Sequence, residues 1–172
     1  MGKIALIIPP KNFRDAEYFK SKKIIEQAGI KTVTASKIVA KISGADGETA
    51  SANCSVSDIR PTEYDGVVFV GGPGASEIVN DSEYVNLAKA FFDAGKLVAA
   101  ICIAPAIFAD AQIIKGKKVT AWDGIKNNLK VAGANFTGEK VEVDGNIVTG
   151  SGPEAAEDFG KAIADYILNK SI

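Results

Sequence analysis

The sequence predicts a single α/β domain built on a mostly parallel sheet with helices on both faces. Three observations carry that prediction. Short, near-continuous apolar runs rich in Val and Ile alternate with stretches of helical length, as expected for strands buried on both sides. Glycines close several of the helical stretches, and turn signals separate the other elements. The chain has 172 residues, about the size of one domain, and no linker, repeat or low-complexity tract divides it.

The elements follow in order. Residues 3–8 (KIALII) form a continuous apolar run ending at Pro9-Pro10, which reads as a buried strand. Residues 15–28 read as a helix with Phe19, Ile24, Ile25 and Ala28 on its core face and Gly29 as its stop. Residues 31–35 (KTVTA) are a second strand. The segment 36–61 is rich in Thr, Ser and Val, and its GADG at 44–47 marks a hairpin turn. It is expected to add short antiparallel strands at the sheet edge.

Residues 66–70 (GVVFV) return to the buried-strand type and run into Gly71-Gly72-Pro73-Gly74. A helix over 82–94 stops at Gly95, and 97–101 (LVAAI) is a third strand of this buried type. A helix follows over about 105–111, then a strand at 117–121 and a helix at 125–132. A hairpin pairs 141–143 with 147–149 through Asp144-Gly145, and a last helix spans 154–168.

Composition excludes several functions. Twenty basic against 21 acidic residues leave a net charge of -1, giving no electrostatic reason to expect nucleic acid or an anionic membrane as partner. There is no histidine, so neither a Ser-His-Asp nor a Cys-His mechanism is available to this chain alone, nor a zinc site needing imidazole. Two cysteines, Cys54 and Cys102, are too few for a disulfide framework or an all-cysteine zinc site. The longest apolar run, 97–109, has 13 residues and contains Pro105, whereas a membrane helix needs about 20. With no secretory signal either, a cytoplasmic protein without metal or cofactor is expected.

Sites in such sheets gather at the carboxyl ends of strands. Strand 3–8 leads to Glu17, strand 66–70 to the Gly71-Gly72 turn, and strand 97–101 directly to Cys102. Cys102 lies in A-I-C-I-A-P between a strand and a helix, the setting of a nucleophile elbow, with small Ala100 and Ala104 two positions away. Pattern alone leaves it open between a nucleophile and an ordinary buried apolar residue. The glycine turn could present N–H groups to an oxyanion or simply be a tight turn. Glu17 by itself reads as a solvated helical glutamate, and Cys54 as structural.

Taken together, these motifs resemble the family of PfpI-type intracellular peptidases and the parkinsonism-associated deglycase, within the class I glutamine amidotransferase-like superfamily. The matching stretches are G-G-P-G-A at 71–75, V-A-A-I-C at 98–102 and F-R-D-A-E at 13–17. G-I-K at 124–126, V-D-G-N at 143–146 and G-S-G-P at 150–153 extend the likeness to the last helix. The resemblance implies a flavodoxin-like α/β/α sandwich, assembled as a homodimer or higher homo-oligomer. It implies Cys102 as nucleophile, Glu17 as its carboxyl partner, and the N–H groups of Gly72 and Ile103 as oxyanion hole. Gly71, Trp122 and Asp123 would line the pocket. Peptidase-like members carry histidine after the nucleophile where this chain has Ile103, so the peptidase loses its base.

The resulting expectation is an enzyme acting on small reactive carbonyls, glyoxalase- or deglycase-like, with Glu17 as proton shuttle. The alternative is a redox sensor or stress-protective chaperone working through oxidation of Cys102. A following helix N-terminus is expected to lower the Cys102 pKa. A protonated Glu17 would then donate a hydrogen bond to the thiolate.

Overall fold

The apolar runs become the middle of a seven-stranded sheet in the computed structural model, which describes residues 2–170. The first half of the chain contributes β1 (Lys3–Ile7), α1 (Asp15–Gln27), β2 (Lys31–Ser36), β3 (Lys41–Ser43), β4 (Thr49–Ser51) and β5 (Cys54–Ser55). Next come β6 (Gly66–Phe69), α2 (Ser82–Asp93), β7 (Leu97–Ile101) and α3 (Ala106–Asp110). The remainder is β8 (Lys118–Val119), α4 (Lys126–Val131), β9 (Asn135–Phe136), β10 (Val141–Asp144), β11 (Ile147–Gly150) and α5 (Ala156–Lys170).

Strand order is β10-β11-β7-β6-β1-β2-β5, parallel throughout except for the β10–β11 hairpin. Alternate side chains feed two cores. Ile4, Leu6, Val68 and Ile101 pack against Tyr18 and Ile25 of α1 and Phe159 and Ile163 of α5. Ala5, Ile7, Val67, Phe69 and Val98 face α2 and α3, where Phe69 meets the edge of Phe108 at 6.0 Å between ring centroids. Each such fully buried branched or aromatic side chain contributes about 1.5–3 kcal/mol. The chain leaves β1 toward β2 on one side and later returns as β6 on the other. The sheet's switch point therefore lies between β1 and β6, where a crevice opens at the strand ends.

Several expectations need correction. On α1 the buried residues are Asp15, Glu17, Tyr18, Ser21 and Ile25, while Phe19, Ile24 and Ala28 are only half-buried. The hairpin at 44–47 forms, but β3 and β4 make a separate two-stranded ribbon, and the sheet edge is β5, parallel to β2. Strand 117–121 shrinks to Lys118–Val119 and pairs with β9, outside the main sheet; β9 has no apolar run to announce it. No helix among the described residues is long and apolar enough to cross a membrane.

Candidate functional site

β7 ends at Ile101, and the next residue turns sharply. Cys102 has φ 64°, a left-handed conformation rarely adopted by a residue with a Cβ. Such a backbone costs on the order of 1–3 kcal/mol and persists only where its surroundings fix it. Here the Cys102 N–H donates to the Gly150 carbonyl at 3.0 Å, and the Cys102 carbonyl accepts from the Trp122 N–H at 2.9 Å. The elbow is thus held from β11 and from the loop after β8. The residue remains 8% exposed.

The glycine turn after β6 lies against this elbow. The Gly71 N–H donates to Glu17 Oε2 at 2.9 Å, and the Gly71 carbonyl accepts from the Arg14 N–H, also at 2.9 Å. A Cβ at Gly71 would sit 2.7 Å from Cys102 Cβ, Glu17 Oε2 and the Ile101 carbonyl, so no larger residue fits. Gly72 has φ 111° and faces the 12–14 backbone. The N–H groups of Gly72 and Ile103 both act on the Cys102 sulfur and favour its anion.

Glu17 is 0% exposed, in the first turn of α1. Its Oε1 is buried without a well-formed hydrogen bond, yet the carboxyl group and the Cys102 thiol interact directly. The contact couples the two titrations without satisfying that oxygen. Burial raises the Glu17 pKa to about 7, against the opposing pull of Cys102, the Gly71 N–H and Arg14; Glu154 pushes it further up. Burial also pushes the Cys102 thiol up to about 12, and the charge of Glu17 adds to the shift. The two groups resist being anionic together, so near neutral pH the pair holds at most one negative charge.

The expected low thiol pKa is therefore corrected. α3 is a single short turn that begins only at Ala106, too short and too late in the chain to supply a useful dipole to the sulfur. The stabilising N–H groups are those of Gly72 and Ile103, and burial outweighs them. Cys54, half-buried on the edge strand, is also shifted upward, by burial and by Asp58.

The structure brings Cys102, Glu17, Gly71, Gly72 and Ile103 together. Trp122, 51% exposed, and Asp123 lie alongside, lining a depression of about 370 Å³ with Phe136, Lys140, Ser151 and Glu154. Gly71 is buried behind the elbow, between Glu17 and Cys102, rather than on that wall. Sequence reasoning missed two charged residues that act on Glu17, namely Arg14 and Glu154. Arg14 stands inside the F-R-D-A-E motif, at a position where the motif itself assigns no chemistry, and Glu154 directly follows the G-S-G-P stretch.

A cysteine elbow at the end of a central parallel strand, beside a buried glutamate and a glycine turn, defines a class I glutamine amidotransferase-like domain. More narrowly, the chain belongs to the DJ-1/PfpI family, which it matches over residues 2–166. An uncharacterised protein of Methanocaldococcus jannaschii is 35% identical over 169 residues, covering 96% of this chain and 82% of that protein. A ThiJ/PfpI domain protein from Brachyspira murdochii superposes with a TM-score of 0.94 at 37% identity, covering 98% of this chain and 96% of that one. Drosophila melanogaster DJ-1beta superposes at 0.86 with 27% identity, covering 96% and 90%.

Proposed function

We propose that the chain is a cysteine-dependent enzyme acting on small reactive carbonyls, in the manner of a glyoxalase or deglycase. The observation that carries this reading is the burial of one thiol and one carboxyl group in direct interaction, with two backbone N–H groups converging on the sulfur. A Glu17 pKa of about 7 suits a group that must both take and return a proton at neutral pH.

In the first step the Glu17 carboxylate accepts the Cys102 S–H proton as the sulfur attacks the aldehyde carbon. The S–C bond forms and the C=O π pair moves to oxygen, where the N–H groups of Gly72 and Ile103 stabilise the alkoxide. Glu17 then returns its proton to that oxygen, leaving a neutral hemithioacetal. With an α-oxoaldehyde, Glu17 next takes the proton from the sulfur-bearing carbon and returns it to the neighbouring carbon through an enediol, while the hydroxyl proton passes from the first oxygen to the second. This gives a 2-hydroxy thioester, which water cleaves to a 2-hydroxy acid and the free thiol. Nothing is oxidised or reduced overall, and no cofactor is required. Peptide hydrolysis is disfavoured, because no histidine accompanies the nucleophile. A homodimer or larger homo-oligomer belongs to the same proposal, and light scattering checks it.

The test is consumption of methylglyoxal without glutathione. Cys102→Ala is expected to fall to background, and Glu17→Gln to lose about 100-fold or more. Equal rates in wild type and Cys102→Ala would sink the proposal.

A further inference from the structure

Arg14 immediately precedes α1, and its positive charge acts on Glu17. Its backbone N–H is tied to the carbonyl of Gly71, the residue whose N–H binds Glu17, so the glycine turn fixes the Arg14 backbone relative to the carboxyl group. Its guanidinium is anchored outside the site by an ion pair of 3.0 Å from Nη1 to Asp46 Oδ1, on the turn joining β3 to β4. That turn is itself held to the same segment, with Ala45 N–H donating to the Phe13 carbonyl at 2.8 Å. Arg14 Nε is buried and has no hydrogen-bond partner. A buried unpaired donor on a charged group is costly and normally avoided. Here it sits in the segment that also carries Glu17, whose Oε1 is the other buried polar side-chain atom without a partner among the described residues.

We propose that Arg14 is a positioning residue of the site. It holds a positive charge beside Glu17, so that the carboxylate, the form able to take the thiol proton, is populated at neutral pH. The groups that act on Glu17 are Cys102 from the end of β7, Arg14 from the approach to α1, Glu154 from the turn before α5, and the Gly71 N–H. Arg14 is the only cation in that set. Without it, burial and Glu154 push the carboxyl group toward its neutral form against only two hydrogen-bonding groups, the Cys102 thiol and the Gly71 N–H, and no positive charge. The inference rests on Cys102 and Glu17 forming the reacting pair, but its test requires no turnover.

The test is a pH titration of the Glu17 carboxyl carbon by NMR in protein labelled with 13C at glutamate, its signal assigned by its loss in Glu17→Gln. Arg14→Met should move the Glu17 midpoint to higher pH. Arg14→Gln, neutral but still able to reach Asp46, should move it the same way, which keeps the test decisive if the Met variant folds poorly. Arg14→Lys should leave the midpoint near that of wild type. The rate at which iodoacetamide alkylates Cys102 should follow, its neutral-pH limb moving up in Met and Gln and staying in Lys. Unmoved midpoints in Met and Gln, or an equal movement in Lys, would overturn the proposal. Loss of methylglyoxal turnover in the wild type would count against the carbonyl reading while leaving these titrations intact.

Discussion

At Cys102 the backbone adopts a conformation that a cysteine gains nothing from by itself, and the cost is met by hydrogen bonds from β11 and the Trp122 loop. The tightest place beside it is Gly71. In Gly71→Ala the new methyl group would overlap Cys102 Cβ, Glu17 Oε2 and the Ile101 carbonyl, each at 2.7 Å, and the carbonyl belongs to a central strand that cannot retreat. The variant is expected to lose about 1–3 kcal/mol in urea denaturation. Its Cys102 should also depart from the wild-type pH dependence of alkylation, because Glu17 is displaced. Wild-type values for both would mean that the turn is looser than its contacts imply. Cys102, Glu17 and the two glycines were legible as motif residues. The upward shift of both titrating groups was not, because it comes from burial beneath elements far apart in sequence, which no local pattern records.

Elements were legible where one physical signal dominated. β1, β6 and β7 announce themselves as apolar runs because both faces are covered, and α2 ends where Gly95 takes φ 67°. Short elements fixed by side chains from elsewhere were not legible. The β3–β4 turn is held by Asp15, buried in the first turn of α1, whose Oδ1 accepts from the Asp46 N–H at 3.1 Å and Oδ2 from the Glu48 N–H at 2.8 Å. A sequence reader sees only an acidic residue at a helix start. Asp15→Ala should cost about 2 kcal/mol, since water replaces part of what two charge-assisted bonds supply at this partly exposed turn. Hydrogen exchange at the Asp46 and Glu48 amides should quicken, and Asp15→Asn should fall between. Unchanged exchange would show that the backbone bonds to residues 12–13 and the Arg14–Asp46 ion pair hold the ribbon without Asp15.

For the whole molecule, one buried carboxyl group makes stability depend on pH in a direction opposite to that of a salt-bridged carboxylate. Glu17 is raised from 4.5 to about 7. Between those values the folded chain keeps a proton that the unfolded chain has released, so unfolding gives up a proton and stability falls as pH rises. The cost is absent below pH 4.5 and complete above about 7, at on the order of 3 kcal/mol for a group this buried. Glu17→Gln removes the charge while keeping the shape. Its stability relative to wild type should therefore climb through that window and level off near pH 8, with little relative gain at pH 4. Cys102 does not blur the comparison, since its own shift, from 9.0 to about 12, acts only in more alkaline solution. Urea denaturation of both proteins at pH 4, 6 and 8 reads the difference directly. The Gln variant should gain stability over wild type even as it loses carbonyl turnover, because the same desolvation that strains the folded chain gives Glu17 its working pKa. A difference that stays flat from pH 4 to 8 would show that Glu17 is not desolvated as its position requires, and the proposed base would lose its physical ground.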